Sequence, residues 1–75
     1  MNKDNHVVEA HTAAAQAHEA TAKSHRAAAD YCAKGHHEAC QQHAKEALDH
    51  STKAQESSKL AHEKSAHPAL AGAAK

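Results

Sequence analysis

Nearly all the apolar material in this chain is alanine, which supplies 21 of its thirty hydrophobic residues. The rest are Val7, Val8, Leu48, Leu60, Leu70, Met1, Tyr31, Cys32 and Cys40, and there is no Phe or Trp. An alanine buries little beyond one methyl group, and a chain of 75 residues buries a small fraction of its surface. A conventional core and a large enzyme cleft are therefore out of reach. Alanine instead favours helix and lets two helices approach at the short end of the usual ~8–10 Å spacing.

Gly and Pro are absent from about Asn5 to Lys34, and again from His36 to Ala66. Asp4 or Asn5 can cap the first stretch, with Glu9 near the positive end of its dipole. Lys34-Gly35 is a stop signal, a cation followed by a residue that tolerates a left-handed cap. His67-Pro68 predicts the end of the second stretch, because the residue before proline avoids helical geometry. The expectation is a single all-α domain, an antiparallel helical hairpin. Its helices cover about 5–34 and 37–66, with a turn at 35–36 and a tail at 68–75. A hairpin with so few large side chains needs further support, and pairing into a four-helix bundle as a homodimer is the preferred source.

Bulk charge excludes several partners. Nine basic and nine acidic residues leave no electrostatic footprint for nucleic acid, and one aromatic ring offers no stacking platform. No apolar run approaches the ~20 residues of a membrane span. The first residues, Met1 to Asn5, do not read as a signal peptide. The chain is expected to be cytoplasmic if complete, and periplasmic if it is a mature form.

Against the thin apolar content stands an excess of ten histidines. His11, His18 and His25 recur at seven-residue spacing and lead to Cys32; His36, His43 and His50 do the same in the second helix. Seven-residue spacing holds each set on one stripe. The predicted seam of the first helix combines the column Val7, Ala14, Thr21, Ala28 with the column Val8, Ala15, Ala22, Ala29, and the histidines lie between them. In the second helix the seam column is Cys40, Ala47, Ala54, Ala61. Folding at Gly35-His36 makes facing residue numbers sum to about 72 or 73. That places His11 level with His62, His6 with His67, and His50 between His18 and His25.

Imidazoles bordering a narrow seam, with Glu46 at (i, i+3) from His43 and (i, i+4) to His50, suit borderline divalent metals. The candidate ligands are His6, His11, His18, His25, His36, His43, Glu46, His50, His62 and His67. Copper(II) is favoured over nickel and zinc, and affinity is expected to fall as pH drops through the ordinary imidazole range near ~6.5. Cys32 and Cys40 lie level across the turn. They can form a disulfide in an oxidising compartment or, when reduced, offer thiolates with His36 to Cu(I) or Zn(II). No catalytic residues are assigned: the zincin and haem-attachment spacings are missing, and nothing supplies oxyanion donors. The alternative is a structural or interaction hairpin whose histidines respond to pH.

The run His36-His37-Glu38-Ala39-Cys40-Gln41-Gln42-His43-Ala44-Lys45-Glu46-Ala47-Leu48-Asp49-His50 resembles the small His-rich metal-binding proteins of bacterial periplasms. The set His11, His18 and His25, each followed by an Ala-rich segment, is similar. The likeness covers most of residues 6 to 67. It implies an up-and-down helical bundle and reversible binding of several divalent ions, copper especially, in metal homeostasis. Cys32 and Cys40 and the shorter length depart from that pattern.

Overall fold

The computed structural model describes residues 5–74, with side chains described from 5 to 66. An α-helix, α1, spans Asn5–Ala33, and a second, α2, spans His37–Ala74. No strand occurs among the described residues, and the two helices form the expected all-α antiparallel hairpin. No described helix is long and apolar enough to cross a membrane.

The turn is built by backbone chemistry. Gly35 adopts φ +79°, in the left-handed region. Its N–H donates to Cys32 O at 3.1 Å, and the His36 N–H reaches back to Tyr31 O at 2.9 Å. These two bonds make a Schellman cap, which satisfies carbonyls that the end of α1 would otherwise leave unpaired. The accompanying side-chain contact is Tyr31 against His36, with ring centroids 5.9 Å apart. Lys34 falls in the turn and not in the helix, although its N–H still donates to Asp30 O at 3.1 Å. The His36 carbonyl then accepts from Cys40 N–H at 2.9 Å and starts α2, with Glu38 in the first turn at the positive end of the dipole.

The expected end of the second helix is corrected. The span of α2 includes His67-Pro68 and does not stop at residue 66. A proline inside a helix removes one backbone hydrogen bond and crowds the preceding turn. The alanines on both sides, Ala66, Ala69 and Ala71, are the best helix formers and oppose a break. At the other end Asn5 is already helical, and Asp4 lies outside the described residues.

The seam is a heptad stripe of small side chains. In α1 the inward column Val7, Ala14, Thr21, Ala28 is joined by Ala10, Ala17, Ser24 and Tyr31, all buried or half-buried. The column Val8, Ala15, Ala22, Ala29 is not part of it, and Val8 is 60% exposed. A 3.5-residue repeat alternates steps of three and four, so the partner of position 7 is position 10. Position 8 lies ~100° around the helix. In α2 the inward column is Cys40, Ala47, Ala54, Ala61, as expected, and its neighbour is His43, His50, Ser57, Lys64. Ala47, Ala54 and Ala61 are essentially inaccessible, while no large side chain is fully buried. A Cys32–Cys40 disulfide, with Cα atoms 5.0 Å apart, clasps the mouth of the hairpin.

Candidate functional site

The register of the two helices sets which histidine meets what. His11 Nε2 lies 2.6 Å from Ser65 Oγ, and His18 Nε2 lies 2.6 Å from Ser58 Oγ. Both pairs sum to 76, and His25 with Ser51 occupies the equivalent next rung. At the clasp, where Cα atoms are close, the sum is 72. The difference follows from side-chain direction. Helical side chains lean toward their own N-terminus, and for α1 that is away from the turn. A histidine ring therefore contacts α2 about one turn beyond its Cα level. This corrects the pairing of His11 with His62: His11 meets Ser65, and His62 is exposed.

The Ser65 hydroxyl has a second partner, the Ala61 carbonyl oxygen at 2.8 Å. It has one proton, so it donates either to that carbonyl or to His11 Nε2, and the His11 tautomer sets which.

His43 is held beside a carboxylate. Its Nδ1 lies 3.1 Å from Glu46 Oε1, within ion-pair distance, which orients the ring. The ring also stacks on Tyr31, with centroids 5.1 Å apart and planes within 2°. Tyr31 is thus packed by His36 and His43, with Lys34 Nζ 5.9 Å from its centroid. His50 and His43 are half-buried and line one groove with Glu46, Ala20, Lys23, Ser24 and Ala27. His50 shares this groove with α1 residues between 20 and 27. It lies on the other edge of the hairpin from the column of His18 and His25.

That split between edges governs what one hairpin can coordinate. The α1 histidines flank one side of the seam, and His43 and His50 open to the other. Among the described residues no three His, Cys, Asp or Glu side chains converge to hold a metal ion. His6, His36 and His62 are exposed at separate places, and the His67 side chain lies outside those described. Both cysteine sulfurs are consumed in the disulfide, so the thiolate arrangement with His36 does not apply to this form.

No family model matches the chain, and comparisons with curated proteins and solved structures likewise give no match. The site rests on its own chemistry. Its serines were not among the expected functional residues, although Ser51, Ser58 and Ser65 repeat at seven like the histidines they face. The matching period was the available signal.

Proposed function

We propose that the hairpin binds divalent transition-metal ions, copper(II) ahead of nickel and zinc, and buffers or carries them as a binding protein without catalysis. The observation that carries this reading is the way the rings are held. His11 and His43 each have one ring nitrogen beside a side-chain partner, Ser65 and Glu46 respectively, and leave the other nitrogen for a ligand. Outer partners of this kind fix the tautomer and orientation of metal-binding histidines. His11, His18, His25, His43 and His50 are the principal ligands, with Glu46 orienting His43. Each ion takes few donors from one hairpin and completes its shell with water or with a second chain, which suits reversible loading at several sites. The chain pairs as a homodimer, giving a four-helix bundle. The Cys32–Cys40 disulfide supports an oxidising compartment such as the periplasm. Calorimetric titration of chelator-treated protein with Cu(II), Ni(II) and Zn(II) at neutral pH tests the proposal. Binding weaker than about millimolar for all three refutes it.

The second reading is a structural hairpin in which the histidines tie the helices together. The His11–Ser65 and His18–Ser58 bonds favour it. The same titration separates the two readings, since ties alone give no metal heat.

A further inference from the structure

One face of the hairpin carries no charged side chain between residues 8 and 65. Continuing the heptad positions, the face bearing the His11 column also carries the Val8 column of α1. From α2 it carries the columns Ala44, Ser51, Ser58, Ser65 and Gln41, Leu48, Gln55, His62. These four columns contain sixteen positions and no Asp, Glu, Lys or Arg. At the chain's 24% content of charged residues about four would fall there by chance, as on an ordinary exposed surface. The charges lie at the rims of this face, with Glu19 and Arg26 along α1 and Lys45 and Lys59 along α2, and over the reverse side. An uncharged centre inside a charged rim is the anatomy of a protein interface.

We infer that this uncharged face is the docking surface for a second copy of the chain. It identifies the surface for the pairing proposed above and rests on that pairing, not on metal binding. Three observations favour a copy over a foreign partner. The face has no charge pattern with which to select a partner of opposite sign. Its relief is self-complementary: α1 presents the His11 column beside the small Val8 column, and α2 the small Ser51 column beside the larger Leu48 column, so a two-fold axis along the hairpin sets each larger column against the other copy's smaller one. The four columns run along about 36 Å of helix at ~1.5 Å per residue, and the Cα trace is 20 Å wide, an area of the order of the ~800 Å² per partner of a stable interface. Docking also covers Val8 and Leu48, which a lone hairpin leaves 60% and 66% exposed.

The test is sedimentation equilibrium of the oxidised full-length chain in chelator-containing buffer at neutral pH. Wild type is expected at twice the monomer mass. Ala15→Glu with Gln55→Glu, both at exposed positions on the face, is expected to sediment as a monomer. Gln16→Glu, on the charged side, is expected to leave the dimer intact. A gentler pair avoids introducing charge: Leu48→Ala should weaken association at least tenfold, and Leu60→Ala, on the opposite edge, should not. A wild type that stays monomeric to millimolar concentration overturns the pairing itself. A dimer that survives both the double glutamate variant and Leu48→Ala overturns the choice of face.

Discussion

Removing the disulfide by Cys32→Ala with Cys40→Ala should destabilise the hairpin severely. The two cysteines are eight residues apart in sequence. Loop-closure entropy for a link of that length corresponds to about 2.5 kcal/mol at 25 °C. Packing losses do not confuse the measurement, because Cys32 is exposed, Cys40 is only half-buried, and alanine is a better helix former than cysteine. For a domain of this size each kcal/mol moves Tm by about 4–8 °C, so a drop of about 10–20 °C is expected. The assay is thermal and urea unfolding followed by circular dichroism at one fixed protein concentration, since pairing would make Tm concentration-dependent. Wild type under strong reductant should reproduce the variant. A loss below about 1 kcal/mol refutes the reasoning, because it means that the turn and the alanine seam already align the helices without the clasp.

Gly35→Ala should cost about 1–2 kcal/mol in the same assay purely from the left-handed backbone, since an added Cβ would meet nothing within 4 Å. An unchanged midpoint would contradict that. Glu46→Gln should lower copper affinity at His43 by about tenfold and leave the His11 and His18 sites alone, read by calorimetry together with histidine NMR signals. Equal losses at all sites would argue against a local orienting role. Acidification to pH 5 in chelator should leave the helical signal of the oxidised hairpin largely intact. Histidines seven residues apart on one helix are separated by ~10.5 Å, where unit charges repel by about 0.4 kcal/mol in water before salt screening. In chelator-free buffer, bound copper should be released over the same range, because protons compete with the metal for imidazole nitrogens. Collapse of helicity over that pH range would instead favour histidines as pH-sensitive ties.

Much of this architecture was legible from local features. The stretches without glycine or proline marked both helices, and Gly35 marked the turn because few other residues tolerate its φ. Cys32 and Cys40 were readable as a pair because a short bend leaves their backbones few ways to be far apart. The α1 seam was misjudged at Val8 for a definite reason. With alanine at so many positions, adjacent columns look equally apolar, and only the alternation of three and four separates Ala10 from Val8 as the inward position. The extension of α2 past Pro68 was missed because a local stop signal was weighed without the alanines beyond it.

The candidate site was legible in kind but not in arrangement. By itself the sequence determined that two helices would meet along methyl groups, with histidines at heptad intervals beside them, since helix propensity and periodicity are local properties. Only the tertiary structure decided how far α2 is rotated about its axis. A seam of alanines restrains that rotation weakly, so contacts at its margins settle it: the histidine–serine bonds, the stacking of His43 on Tyr31 and the disulfide. That rotation sends His43 and His50 to one edge and leaves His11, His18 and His25 on the other, facing serines one turn beyond their own level.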